Sequence, residues 1–264
     1  MSTLPAGLQT PLVRVGSYFM VGQDQEAAAA SLGIKGGALY FRGRIGPLVG
    51  ADSARAAAVY RIFPPGLLDH VFRSTAGLDA ATAAAAYEQA AAHAAQRLLA
   101  PTYRDTPELD ELPALVRAVL AVAQLPEIDA TTVTRIWRDR RWPALDGPLG
   151  AYWALVLLRE LRGSRHFQAL DATGLDTGAA SWADPHVGPE VLARRGWRPE
   201  QIAELEQLAG VVPDLEARRD AVEEATDAAL LADLQAVLTA EQIERLGELV
   251  VTAENTAAAA ERSH

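Results

Sequence analysis

The sequence contains no cysteine, a single lysine and few aromatic residues, and each shortage narrows what the protein can be. Without cysteine, disulfides, thiolate nucleophiles and cysteine-ligated metals are excluded. Lys35 is the only lysine, so every other cationic side chain is an arginine. A GC-rich genome explains this bias better than selection for guanidinium chemistry. Because aromatic residues make up only 6% of the chain, each aromatic cluster carries information.

Long apolar runs and a net positive charge are also missing. The longest apolar runs fall short of the ~20 residues that a membrane span needs, so we expect no membrane partner. The N-terminus lacks a basic region followed by an apolar run, which would mark a signal peptide. The formal net charge of −10 opposes a nucleic-acid partner, because the chain repels phosphate backbones unless its cations are segregated. The expected location is the cytoplasm.

Alanine is abundant, with runs at 27–30, 83–86 and 257–260. Alanine is the best helix former and adds little volume to a core, so the composition predicts closely packed helices. Glycines 43 and 46 permit close backbone approach. We predict an all-α, multi-helix bundle with an N-terminal helical part over residues 1–110. Residues 111–264 then supply a central helix and a winged-helix-like C-terminal part, in one compact unit.

The segment 149–170, LGAYWALVLLRELRGSRHFQAL, is predicted to form the central helix. Arg159, Arg162 and His166 share one face with Tyr152, at spacings of three and four residues. Two guanidinium groups and an imidazole can hold a carboxylate or enolate and move a proton. In the alternative interpretation, the arginines pair with Glu160, Asp171 or a carboxylate from another helix, and the imidazole packs in the core.

A second candidate site is the loop segment SWADPHV. Asp184 and His186 beside Trp182 could form an acid–base pair or a ligand clamp, because functional residues concentrate on loops. Asp-Pro also begins turns for local reasons alone. The histidines are not spaced as HxxxH or HExxH, and the chain has no GxGxxG or P-loop motif, so we expect no metal and no cofactor.

The C-terminal run from Arg194 has the outline of a winged-helix module: a helix, a break and a long helix. A helix that reads DNA presents basic and amide side chains. The candidate helix 199–209 instead carries Glu200, Glu204 and Glu206, so insertion into a groove would cost repulsion. We interpret this part as a degenerate winged helix or as a helical surface for a homodimer.

Four segments, in order, carry a family resemblance. They are YFMVGQDQEAAAASLGIKGGALYFRGRIGPLV, YRIFPPGLLDHVF, LLRELRGSRHFQAL, and RRGW followed by AVEEATD. Together they resemble a family of actinobacterial helical proteins from natural-product gene clusters, of the type found in the salinosporamide cluster. These proteins carry a winged-helix-like, MarR-reminiscent C-terminal part. The resemblance covers about residues 18–230 and implies a role in specialised metabolism, without naming a reaction.

The chain departs from the pattern of that family at three places. The family motif reads leucine, Arg-Glu, histidine, Arg-Gly and a later histidine, and here Leu161 replaces the first histidine. Ile62 and Phe63 stand where an asparagine–phenylalanine pair is common. Only VVPD separates the helices after Gly210, so the wing is shortened. These departures argue against a metal or haem role and against inherited DNA binding.

From these observations we predict a metal-free, cofactor-independent enzyme of specialised metabolism. It would catalyse a cyclisation, isomerisation or dehydration of a natural-product intermediate by acid–base chemistry. His166, His186 and Asp184 would move the proton, and Arg159 and Arg162 would hold an anionic group. The apolar or aromatic acyl-type ligand would lie among five aromatic side chains: Tyr40, Phe63, Tyr152, Trp153 and Trp182. The alternatives are a small-molecule-responsive transcription regulator and a non-catalytic binding or self-resistance protein.

Overall fold

Helices make up nearly all of the regular structure. The computed structural model describes residues 4–5, 7–48 and 50–263, and no strand occurs among them. Helices account for 74% of the protein, which confirms the predicted all-α, multi-helix fold. A helix covers residues 36–44, the glycine-containing segment near the N-terminus, and turns follow it.

The described residues of the N-terminal part form seven helices, and two of them begin at aspartate caps. The side chain of Asp52 accepts a hydrogen bond from the Arg55 amide, and that of Asp79 accepts one from the Thr82 amide. Such caps satisfy amides that a helix start leaves free. The helices are α1 (Gln9–Val15), α2 (Tyr18–Val21), α3 (Gln23–Ser31), α4 (Gly36–Arg44), α5 (Ser53–Val59), α6 (Leu67–Ser74) and α7 (Ala80–Leu98).

The middle of the chain contains α8 (Leu112–Val122), α9 (Thr132–Arg138) and α10 (Gly147–Thr173). Proline-rich residues 100–111 form two 3-10 turns in which Leu109 is fully buried. The helix α10 includes the predicted central helix and lies in the middle of the molecule, packed against α7, α8 and α9. Residues 150–158 are all buried, as expected for a helix that is apolar on every side.

Five helices complete the chain: α11 (Thr177–Trp182), α12 (Pro189–Arg194), α13 (Pro199–Gly210), α14 (Leu215–Gln235) and α15 (Ala240–Arg262). Residues 211–214 connect α13 to α14, and Asp214 adopts a left-handed conformation with φ of 51°. No wing strand is present in the described part of the chain. Helix α14 packs along α10, and α15 packs against α1 and α7.

Two kinds of core hold these helices together. One large cluster of buried apolar residues contains side chains from α1 through α10 and from α14 and α15. Two small clusters lie farther along the chain, one around Ala179 and Val222 and one around Leu192 and Leu205. Within the described residues, no helix is long and apolar enough to cross a membrane.

Candidate functional site

Helix α10 carries buried charges that are matched by other helices. Glu160 is 3% exposed, and both of its carboxylate oxygens accept hydrogen bonds from Arg44 of α4, one of them at 2.9 Å from Nε. Arg165 donates to both oxygens of Asp233 on α14, at 2.6 and 2.7 Å. These bidentate pairs explain how an otherwise apolar helix tolerates charges in the core.

Five side chains from α10, α14 and the loop after α11 form what we call the charge cluster: Arg162, His166, Asp184, Arg219 and Glu223. Arg162 Nη2 lies 2.7 Å from Glu223 Oε2, and His166 Nδ1 lies 3.6 Å from Glu223 Oε1. Arg219 Nη2 lies 3.7 Å from carboxylate oxygens of both Asp184 and Glu223. The cluster therefore brings together three of the residues that the sequence singled out.

His166 is half-buried and held in one tautomer. Its Nδ1 lies 3.4 Å from the hydroxyl of Thr226. That hydroxyl donates its own proton to the carbonyl of Val222 at 2.7 Å, so toward His166 it can only accept. Nδ1 therefore carries the proton, and Nε2 is the unprotonated acceptor of the neutral ring. No hydrogen bond to Nε2 occurs within the described ranges.

Burial lowers the pKa of His166 below its ordinary value of 6.5. Glu223 and Asp184 raise this pKa and Arg162 and Arg219 lower it, but desolvation is the largest of these effects. An imidazole with a depressed pKa is neutral at physiological pH and able to accept a proton.

The two arginines of the predicted anion site differ in their partners. Arg162 is 2.7 Å from Glu223 and 3.6 Å from Asp227, so carboxylates already balance its charge. Arg159 is 3.4 Å from one oxygen of Glu160, a carboxylate that Arg44 already holds at both oxygens. The Nε of Arg159 is buried without a partner. Arg159 therefore has no carboxylate partner that it does not share with Arg44.

The aromatic candidates divide into two groups. Tyr40 and Phe63 are partly exposed and belong to an aromatic group with ring centroids 6.0 Å apart. Tyr152 and Trp153 are buried in the core: the Tyr152 hydroxyl accepts a hydrogen bond from the Phe19 amide, and Trp153 packs on Trp137. Their burial gives both residues a packing role in this conformation.

The loop candidates do not form a side-chain pair. The Asp184 carboxylate accepts a hydrogen bond from the backbone amide of His186 at 2.9 Å, and the imidazole of His186 is exposed. Trp182 packs with Trp197 and other residues of the small cluster around Leu192. No group of three or more His, Asp or Glu side chains in the described part of the chain is arranged to hold a metal ion.

Helices α12 and α13 are joined by the short turn 195–198, so they form a helix, a turn and a second helix. Leu192 and Leu205 pack together between them. A family model described as a helix-turn-helix family matches residues 9–263. The chain belongs to this helix-turn-helix family. Neither the comparison with curated proteins nor the comparison with solved structures produces a match.

Membership in the helix-turn-helix family agrees with the predicted winged-helix-like C-terminal part. It also makes nucleic-acid binding possible, against the expectation drawn from net charge. The C-terminal residues are nevertheless strongly acidic: residues 171–264 contain 19 acidic and seven basic side chains. The exposed face of the second helix of the motif presents Glu204 and Glu206, as the sequence indicated.

The turn of the helix-turn-helix unit packs inward. The indole of Trp197 donates to the carbonyl of Ile62 at 3.3 Å. A Cβ at Gly196 would lie 3.5 Å from Leu67. Burial lowers the pKa of Arg195, whereas Asp184 and Tyr40 raise it. The unit therefore covers the region between Tyr40 and the charge cluster.

Sequence reasoning missed Arg44, Arg219 and Glu223. Arg219 and Glu223 are four residues apart on α14, a spacing that places them on one helix face. That spacing could have marked them as a paired face. Nothing in the sequence indicates that this face meets Arg162, because the contacting residues are 61 positions apart.

Proposed function

We propose that this helix-turn-helix family protein binds a small anionic molecule with an apolar or aromatic acyl-type body and transfers a proton to or from it. The observation that carries the proposal is the contact of His166 Nδ1 with the Thr226 hydroxyl, which already donates to Val222. This contact assigns the proton of the neutral ring to Nδ1 and leaves Nε2 as an acceptor. A half-buried neutral imidazole with an oriented second nitrogen is the arrangement that general-base catalysis requires.

Glu223 orients the base and stabilises its charged form. When Nε2 takes a proton, the imidazolium gains attraction to the carboxylate 3.6 Å from Nδ1. The carboxylate does not need to accept the proton itself. Arg162 and Arg219 contact Glu223 and hold its carboxylate in place. The charge cluster thus combines a base with a group that favours proton uptake during reaction.

Arg159 supplies the anion-binding group. It precedes His166 by seven residues, which corresponds to about 10.5 Å along the helix axis. A ligand with a carboxylate at one end and an acidic C–H at the other can span that distance. Tyr40 and Phe63 offer apolar surface on the N-terminal side of the region. Isomerisation, cyclisation and dehydration can each begin with such a proton transfer, and specialised metabolism is the context that the family resemblance implies.

Solvent deuterium exchange tests the proposal without knowledge of the full reaction. We expect the protein to catalyse exchange of the α-proton in some members of a panel of 3-oxo and aryl-substituted carboxylic acids, followed by NMR. His166→Gln should lower the exchange rate at least tenfold while ligand binding persists, because general-base catalysis contributes that much or more. Arg159→Gln should weaken binding of the acids. His70→Gln, which changes an exposed histidine on α6, is the matched control.

Two outcomes decide against this proposal. Exchange at the wild-type rate in His166→Gln would remove the base from the mechanism. Binding of the acids without any exchange, in the wild type and in the variant alike, would favour the non-catalytic binding protein.

Family membership favours a second candidate, a transcription regulator that responds to a small molecule. In helix-turn-helix proteins, the second helix reads the major groove with its N-terminal residues. In this protein the N-terminal end of that second helix, α13, follows Trp197, whose indole donates to the carbonyl of Ile62. The outer face of α13 also presents glutamates. We therefore expect no sequence-specific shift of duplex DNA from the flanking promoter at low salt. A tight, sequence-specific shift would reverse the order of the two candidates.

The depressed pKa of His166 predicts a pH dependence of stability. In the unfolded chain the pKa of the imidazole returns to its ordinary value of 6.5. As the pH falls, the unfolded chain therefore takes up a proton before the folded protein does. The associated stability is present above this value and is lost as the pH falls through the folded-state pKa. Between about pH 7 and pH 5, denaturation midpoints should therefore fall more steeply in wild type than in His166→Gln. Equal slopes would contradict the assignment.

A further inference from the structure

A groove on the surface of α8 has a different chemistry from the charge cluster. It lies between α8 and residues 138–146, which lead from α9 into α10, and its volume is about 670 Å³. Its lining includes four arginines and a tryptophan, which we call the arginine groove: Arg117, Arg138, Arg140, Arg141 and Trp142. We propose that the arginine groove binds a phosphorylated small molecule with an aromatic body, of the size of a nucleoside diphosphate.

Two of the four arginines are available to an anion. Arg117 and Arg141 are exposed, and neither has a carboxylate within ion-pair distance among the described residues. The other two have partners that hold them at the groove. Arg138 Nε lies 2.7 Å from Asp139, and Arg140 makes a bidentate pair with Glu88, at 2.6 and 3.1 Å.

Guanidinium groups that converge on one groove select phosphate. Each group presents a planar fork of donors that matches two oxygens of a phosphate, and a diphosphate has enough oxygens for two such forks. Simple charge neutralisation does not account for the groove, since the acidic residue that lines it, Asp146, makes no ion pair with either free arginine in the described structure. Within the described structure, two of the four arginines of the groove, Arg117 and Arg141, thus have no ion-pair partner, although the protein carries a net charge of −10.

The remaining lining suits an aromatic body. Trp142 lies under the Arg117 guanidinium, 5.6 Å from the ring centroid to Cζ, which fixes the indole beside the cations. Leu145 is 57% exposed at the same groove, an unusual position for a large apolar side chain. The volume lies within the ~300–1,000 Å³ range of small-molecule sites. A planar base can pack on Trp142 and Leu145 while its phosphates reach the arginines.

The groove suits a small ligand better than a nucleic-acid strand. A strand would have to pass its phosphates along the carboxylate of Asp146 in the lining and that of Asp139 beside it, on a protein of net charge −10. A nucleoside diphosphate places its charge only at the free guanidiniums. This inference is independent of the proposed proton transfer, which involves none of these residues.

Isothermal titration calorimetry with ADP, inorganic pyrophosphate and adenosine tests the proposal. We expect ADP to bind more tightly than pyrophosphate or adenosine, and binding to weaken as salt rises from about 0.05 to about 0.15 M. Arg117→Gln and Arg141→Gln should each weaken ADP binding about tenfold, as expected for loss of a charge-assisted contact. Trp142→Leu should weaken ADP but leave pyrophosphate unchanged. Arg73→Gln is the matched control, because Arg73 is exposed on α6 outside the groove.

Three results would overturn the proposal. Absence of ADP binding at millimolar concentration removes the site, and unchanged affinity in both arginine variants places binding elsewhere. A single-stranded oligonucleotide that binds more tightly than ADP, and loses affinity in the same variants, would make the groove a nucleic-acid site instead. Unchanged circular dichroism spectra of the variants exclude misfolding as the cause of any loss.

Discussion

Replacement of Glu160 by glutamine is expected to lower the free energy of unfolding by about 3–5 kcal/mol, because it leaves a buried guanidinium without its counter-ion. Arg44 contacts no other carboxylate within ion-pair distance in the described structure. Burial opposes the charge of Arg44, but Glu160 more than offsets this and raises its pKa well above the usual range. A guanidinium group is not deprotonated in proteins at ordinary pH, so Arg44 stays charged in the variant even without Glu160. Its contacts with the rings of Tyr40 and Tyr60 replace only part of the lost attraction.

Chemical denaturation of two further variants isolates the effect of burial. Asp171→Asn breaks another ion pair of α10, with Arg61, but Asp171 is 51% exposed, so we expect a cost of about 0–1 kcal/mol. The double variant Arg44→Met with Glu160→Leu removes both charges and should recover much of the loss. Similar costs for Glu160→Gln and Asp171→Asn would show that the buried pair contributes no more than an exposed one.

The ion pairs of α10 also show what the spacing of residues in the sequence can and cannot predict. The spacing of Arg159, Arg162 and His166 predicted that they share one face of a central helix, and the structure places all three on α10. Periodicity could not decide between a ligand site and ion pairs, since the deciding partners come from distant segments. Arg162 is paired with Glu223, whereas Arg159 faces a carboxylate that Arg44 has already taken. The ion-pair interpretation therefore holds for Arg162, and a ligand at Arg159 stays a prediction.

The aromatic residues show a second limit. Tyr152 and Trp153 follow each other on α10, and neighbouring residues point in directions about 100° apart. Both are nevertheless buried, since other helices surround α10 on every side. A pattern of apolar residues indicates burial, but it does not distinguish the wall of a ligand site from the core. Tyr40 and Phe63 keep exposed surface because α4 and the loop after α5 lie at the edge of the bundle.

The C-terminal end shows the same dependence on tertiary contacts. The end of a chain commonly frays, but α15 continues to Arg262 and buries Ala253 and Ala257. Small side chains here allow α15 to lie close to its neighbours. The capping box at Thr239 and Gln242, by contrast, is a local signal, and the structure confirms it. Local signals were thus sufficient for the start of this helix, whereas its end depends on packing.

A comparison of two glycine-to-alanine changes tests the close helix packing that the composition predicted. At Gly43 of α4, an added Cβ would lie 2.6 Å from the Cβ of Tyr87 and 2.8 Å from the carbonyl oxygen of Ala83. Neither atom can rotate away, so α4 must move off α7, at a cost of about 1–3 kcal/mol. At Gly163 of α10, no atom lies within 4 Å of the added Cβ. Gly163→Ala should therefore stabilise the protein by about 0.5–1 kcal/mol through helix propensity.

Displacement of α4 in Gly43→Ala should also affect the buried ion pair between Arg44 and Glu160, because Arg44 is the next residue on α4. Movement of α4 would misalign the two hydrogen bonds from Arg44 to Glu160. Gly43→Ala and Glu160→Gln should then cost less together than the sum of their separate effects, by at least about 0.5 kcal/mol. Gly163→Ala, which leaves α4 in place, should combine additively with Glu160→Gln. Additive costs for both combinations would mean that α4 absorbs the methyl group without moving Arg44, and that helix contact and ion pair stabilise the core independently.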